Sequence, residues 1–138
     1  MNKKTNLYFL LAALVIFGLS SCASTKGIDS AHNARNSLDW AGVYTGTIPS
    51  ASGTGINVRL RLYPDQRFEM SYEYRDKPNS SYWAGSFQWN ETGNIITLNV
   101  NANEVSPYYK VAENKLIQLD TKGKPISGNL ADDYVLKK

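Results

Sequence analysis

Cys22 is the one residue whose type and setting specify a reaction. It ends the run Leu19-Ser20-Ser21-Cys22, which reads as a lipobox: an apolar residue, two small residues, and a cysteine before which a bacterial secretory signal is cut. The chemistry is thioether formation from the Cys22 thiol to a diacylglycerol, with an N-acyl chain added at the new N-terminus. Cys22 is also the only cysteine. Once lipidated, the protein has no thiol left for a disulfide, a soft metal or nucleophilic catalysis.

Other candidate groups form weaker patterns. Glu69 and Glu73 share a parity and could do paired-carboxylate acid/base work. Arg59 and Arg61 on the neighbouring segment make a solvated outer face the better reading. Asp132-Asp133 lacks the spaced oxygen ligands and the glycine of a calcium loop. His32, the only histidine, lies in a polar segment and reads as solvated. Ser50 and Ser52 sit in a Gly-Ser-Thr loop that turn chemistry explains. The expectation is a non-enzymatic protein with no catalytic residue, no metal ligand and no cofactor beyond the lipid on Cys22. Nine tyrosines and three tryptophans could line a ligand pocket or stack on sugars. Tyr72 and Tyr74, however, share an apolar face with Phe68 and Met70, and Phe87 shares a parity with Trp89, which favours core packing.

The elements around Cys22 fit the same address. Lys3 and Lys4 supply a positive n-region, and Leu7 to Leu19 is an uncharged stretch too short for a comfortable membrane span. Residues 1–21 are therefore read as a signal peptide. Residues 22–37 follow as a lipidated polar tether, whose only large apolar residue is Ile28. Residues 38–138 remain as a single domain. Cleavage removes two of the 15 basic side chains and leaves them nearly balanced by the 12 acidic ones. Such a surface lacks the basic face that a nucleic-acid binder needs. Ala23 supplies no aspartate for inner-membrane retention, and no acidic run follows Cys22. The expected location is the outer membrane, with the domain facing the periplasm.

From Trp40 onward, alternation with a period of two dominates. Val58, Leu60 and Leu62 alternate with Asn57, Arg59 and Arg61; Phe68, Met70, Tyr72 and Tyr74 alternate with Glu69, Ser71 and Glu73. Pairing across Pro64-Asp65-Gln66 sets Leu62 opposite Phe68, Leu60 opposite Met70 and Val58 opposite Tyr72, with Arg61 opposite Glu69 on the other face. That exposed charge pair is worth at most about 0.2–1 kcal/mol, so the apolar face decides the fold. Further strands are predicted over Gly42–Ile48, Tyr82–Trp89, Asn94–Val100, Tyr108–Ala112, Lys115–Leu119 and Asp133–Leu136, with no convincing helix. The chain is thus all-β: about eight short strands in a small up-and-down antiparallel barrel, lipocalin-like and distorted or partly open.

One block is familiar. Asp39-Trp40-Ala41-Gly42-Val43-Tyr44-Thr45-Gly46, followed by Pro49 and Gly55-Ile56, resembles the start of the NlpE N-terminal domain, a family of envelope lipoproteins named for copper homeostasis. Tyr108-Tyr109-Lys110, Leu116-Ile117-Gln118-Leu119-Asp120, Gly123-Lys124-Pro125-Ile126 and Tyr134-Val135-Leu136 extend the resemblance over Leu38 to Leu136. It implies a distorted lipocalin-like barrel on an outer-membrane lipoprotein that reports surface attachment or lipoprotein-trafficking trouble to a two-component sensor. The membrane, and an envelope sensor kinase or another envelope protein, are then the expected partners. Longer members carry a second, C-terminal domain; the resemblance here implies the first domain alone. The family's usual loop, Pro-Cys-Ala-Asp-Cys-Pro-Gly-Ile, here reads Pro49-Ser50-Ala51-Ser52-Gly53-Thr54-Gly55-Ile56. Both cysteine positions are replaced, by Ser50 and Gly53, and soft thiolates are the ligands suited to Cu(I). The expectation is envelope-stress sensing without the thiolate copper site. The alternative is a periplasmic carrier of a small apolar or amphipathic ligand.

Overall fold

The computed structural model describes residues 32–51, 53–100, 103 and 105–138. The signal peptide, Cys22 and most of the tether lie outside the described residues. Eight antiparallel strands follow in chain order: β1 Gly42–Ile48, β2 Ile56–Leu62, β3 Arg67–Tyr74, β4 Ser80–Trp89, β5 Ile95–Leu98, β6 Tyr108–Ala112, β7 Lys115–Gln118 and β8 Val135–Lys137. Each pairs with its sequence neighbour, and β8 returns to β1 to close a barrel.

The hairpin of β2 and β3 has the register that its alternation predicts, with Leu62↔Phe68, Leu60↔Met70, Val58↔Tyr72 and Arg61↔Glu69 as partners. Its turn explains why. The Tyr63 amide donates to the Arg67 carbonyl at 2.9 Å and the Gln66 amide to the Tyr63 carbonyl at 3.0 Å. Gln66 takes the left-handed conformation (φ 64°) that ends a three-residue hairpin loop. On the outer face, the Arg61 guanidinium lies over the Tyr63 ring, 4.7 Å from its centroid, and Arg67 pairs with Asp65 at 2.7 Å.

Several strand ends differ from expectation: β4 begins earlier, at Ser80, β5 stops at Leu98, β8 runs on to Lys137, and three further ends shift for a local reason. β5 starts at Ile95, because the amides of Asn94 and Ile95 are both taken by the Asn90 side chain at 3.0 Å. β7 stops at Gln118, and Leu119 forms only an isolated bridge with Pro125. β8 starts at Val135, because Ala131–Asp133 coils into a 3₁₀ turn.

The last residues of the segment read as a tether are ordered against the barrel. Ala34–Ser37 forms a one-turn helix, α1, whose N-cap Asn33 accepts from the Asn36 amide at 3.1 Å. The turn docks on the β4–β5 connection: the Ala34 amide donates to Asn94 Oδ1 at 2.9 Å and the Arg35 amide to the Gly93 carbonyl at 3.0 Å. Gly93 is left-handed (φ 67°), and a Cβ there would overlap the Asn33 side chain. Caps and a close backbone approach, rather than apolar periodicity, order this segment. Trp40 then packs edge-on against Phe87 and Trp89 at 5.8 and 5.4 Å, covering this end of the barrel.

The middle of the barrel is solid. Tyr44, Leu60, Met70, Ile96, Tyr109, Leu116 and Leu136 are each 0% exposed, so side chains occupy the space a deep calyx would need. The aromatic residues are thus mostly core, as their parity predicts. The Tyr44 hydroxyl donates to the Trp40 carbonyl at 2.7 Å, and the Tyr109 hydroxyl points at Met70 Sδ, 3.8 Å away.

Candidate functional site

The end of the barrel opposite α1 is open. The β1–β2 loop, the β3–β4 turn and the entry to β8 surround a cavity of about 680 Å³, a volume in the range of small-molecule sites. The strand periodicity builds its walls. Ile48 and Ile56 are cross-strand partners on β1 and β2, and Tyr74 continues the wall beside Ile56 on β3. Tyr134 closes the far side, its carbonyl accepting from the Gln118 amide at 2.9 Å.

Two buried polar residues, Tyr72 and Gln118, are among those lining this cavity. Tyr72 is 2% and Gln118 7% exposed, and neither Tyr72 Oη nor Gln118 Oε1 has a hydrogen-bond partner. The Tyr72 ring is held edge-on by Trp83 at 5.2 Å. Burial pushes the Tyr72 phenol up to about 12; the Tyr109 hydroxyl, which is directed at Met70 Sδ and falls outside hydrogen-bond geometry with Tyr72 Oη, opposes that rise, and Tyr74 adds to it. Burial also raises Tyr44 to about 12, with the Asp39 carboxylate adding to it, and lifts Tyr109 well above the ordinary phenol value.

These shifts carry a pH dependence. An unfolded tyrosine ionises near pH 10, whereas the buried phenols hold their protons to higher pH. The unfolded state therefore releases protons first as pH rises, and stability falls. Urea midpoints should be level with respect to these groups below about pH 9 and decline from about pH 10 toward 12. A midpoint rising over that window would contradict the burial of Tyr44, Tyr72 and Tyr109.

The cavity collects only part of the chemistry the sequence offers. Ser50 lines it and Gly53 lines the adjoining groove, while Ser52 lies outside the described residues. A Cβ at Gly53 would overlap the Asp76 carboxylate, so a cysteine there would first have to displace Asp76. Glu73 is exposed and Glu69 half-buried; both occupy the outer parity of β3, away from the cavity. Asp132 and Asp133 are exposed in the 3₁₀ turn, and His32 is exposed just ahead of α1. Among the described residues, no three His, Cys, Asp or Glu side chains cluster as metal ligands would. Sequence reasoning assigned no role to Gln118 or Ser81. Gln118 has the inward parity of Leu116, and that parity is the signal that could have found it.

A closed up-and-down barrel with a filled centre and one open end defines a lipocalin-like domain. The chain belongs to the NlpE family, whose N-terminal domain model matches residues 44–129. A lipoprotein from Shewanella oneidensis of known crystal structure is 42% identical over 77% of this chain and 94% of its own, with a TM-score of 0.66. The crystal structure of the Cpx pathway activator NlpE from Escherichia coli matches with 27% identity and a TM-score of 0.51, over 64% of this chain and 46% of that one. No curated protein matches the chain.

Proposed function

We propose that this protein is a non-enzymatic lipoprotein, anchored in the outer membrane through Cys22, whose barrel takes part in envelope-stress sensing of the NlpE kind. Family membership carries the reading, since the matched region spans β1 through the β7–β8 connection. The similar E. coli protein is an activator of the Cpx pathway. The lipobox supplies the address, and a lipoprotein aligned over 94% of its length supports the same placement. Copper is not held by the family's thiolate pair, because Ser50 and Gly53 stand in those positions. The hard hydroxyl of Ser50 is a poor substitute for a soft thiolate toward Cu(I).

Deleting the gene in its own host tests this reading. Envelope-stress reporter output, or adhesion to surfaces, should fall, with copper tolerance unaffected. Reporter, adhesion and copper tolerance all unchanged would sink the proposal; a loss of copper tolerance alone would restore metal handling as its role.

A further inference from the structure

We propose that the barrel wall centred on β7 and β8 docks on the anionic phospholipid headgroups of the bilayer that holds the Cys22 lipid. The nearly balanced net charge conceals an uneven distribution. The adjacent strands β6, β7, β8, β1 and β2 carry Lys110, Lys115, Lys137, Arg59 and Arg61, and no aspartate or glutamate. All five cations are exposed, and the ion pairs among the described residues, Arg67–Asp65 and Lys138–Asp39, include none of them. The strand carboxylates, Glu69 and Glu73, both lie on β3. Glu69 faces Arg61 at one border of this wall, and Glu113 sits in the β6–β7 turn at another.

Register concentrates the charge at the centre. Lys115 and Lys137 are direct cross-strand partners; Lys137 also pairs with Thr45, and Thr45 with Arg59. This row crosses four strands, about 15 Å at the usual strand spacing. In the next row Lys110 pairs with Ile117, and Ile117 with Val135, which places two half-buried aliphatic side chains among the lysines. Like charges directly opposite each other destabilise a sheet, so the Lys115–Lys137 pair is unfavourable until an anion faces it. The route of the chain selects the partner. Lys138 Nζ lies 2.6 Å from the Asp39 carbonyl oxygen, so the segment entering β1 from α1 runs beside the end of β8. Beyond α1, the ten residues from Ala23 to His32 can span at most about 35 Å. A lipid on Cys22 therefore holds the wall within reach of the headgroups at high effective concentration. The contact orients the barrel and does not replace the anchor, since a basic patch alone binds reversibly. The choice of a membrane as partner rests on the Cys22 reading above.

The test takes the protein purified from cell envelopes and combines it with nanodiscs of phosphatidylcholine, with or without about one-third phosphatidylglycerol. Exposed lysines are then acetylated and their rates read by mass spectrometry. Lys110, Lys115 and Lys137 should react about 3–10-fold more slowly on the anionic discs. Lys77, in the β3–β4 turn on the far wall, should be unchanged. At about 1 M salt, where the Debye length is about 3 Å, the difference should vanish. Lys115→Gln combined with Lys137→Gln should return Lys110 to its rate on neutral discs. Both side chains are exposed, so folding should survive, and circular dichroism checks this. Equal rates on the two discs, equal slowing of Lys77, slowing that survives high salt, or protection of Lys110 unmoved by the double substitution overturns the proposal. Intact mass of the same sample reports the Cys22 lipid separately, so failure of the anchor and failure of the contact are distinguishable.

Discussion

Cys22→Ser is expected to strip the protein of its lipid and remove it from the outer membrane. The tether preceding α1 is polar, and the barrel's exposed large apolar side chains among the described residues are Tyr82 and Leu130. Neither supplies an alternative anchor. Each buried methylene contributes about 0.8 kcal/mol to membrane attachment, and stable anchoring takes two signals such as dual acylation. Serine at position 22 supplies none of them. Metabolic labelling with radioactive palmitate should fall to background, and the protein should disappear from the outer-membrane density fraction. Retained label, or an unchanged outer-membrane band, would mean that another residue or a protein contact holds the domain in place.

Leu136→Ala is expected to cost about 2–5 kcal/mol, out of a total of about 5–15 kcal/mol for a domain of ordinary stability. β8 is three residues long, and its registered partnership with β1 is Thr45↔Lys137. Ladder hydrogen bonds alone therefore hold the closure weakly. Leu136 is fully buried, pairs with Leu116 on β7, and packs where Gly46 lets the two strands approach. A Cβ at Gly46 would lie 2.6 Å from the Val135 carbonyl oxygen, so a side chain there would push β8 away. Lys138 adds a strap across the seam, with Nζ 2.8 Å from Asp39 Oδ2. Asp39 is largely exposed, and that contact contributes little. The urea midpoint of Leu136→Ala should drop sharply, whereas Lys137→Ala, on the outer face, should stay within about 0.5 kcal/mol. Equal effects from the two would show that the seam is not sealed by apolar packing.

The sequence was most legible where burial and alternation coincide. In β2 and β3 the apolar face and the Arg61–Glu69 parity agree on a single register, because a slip of one residue would turn every core side chain outward. Closure into a barrel was legible from the number of short strands and their short connections. The helix α1 was not, because Asn33, Asn94 and Gly93 order it through polar caps that leave no apolar period. The late start of β8 escaped for a related reason: the 3₁₀ turn holding Asp132 and Asp133 follows no hydrophobic pattern. The open end was half legible. Tyr72 and Tyr74 read correctly as inward-facing, but Gln118 appears beside the opening only once β7 is placed next to Tyr134. The loop from Pro49 to Gly55 announced its departure from the family pattern in the sequence itself. Only the structure shows that Asp76 occupies the space beside Gly53.

Envelope-stress activation is the claim on which the functional reading turns. The most direct measurement raises the level of the full-length chain in cells carrying a Cpx-responsive reporter, in parallel strains with and without the pathway's sensor kinase. The expected result is a rise in reporter output that requires the kinase and persists when copper is chelated. Reporter output that stays flat while the lipidated protein accumulates in the envelope would contradict stress sensing of the NlpE kind.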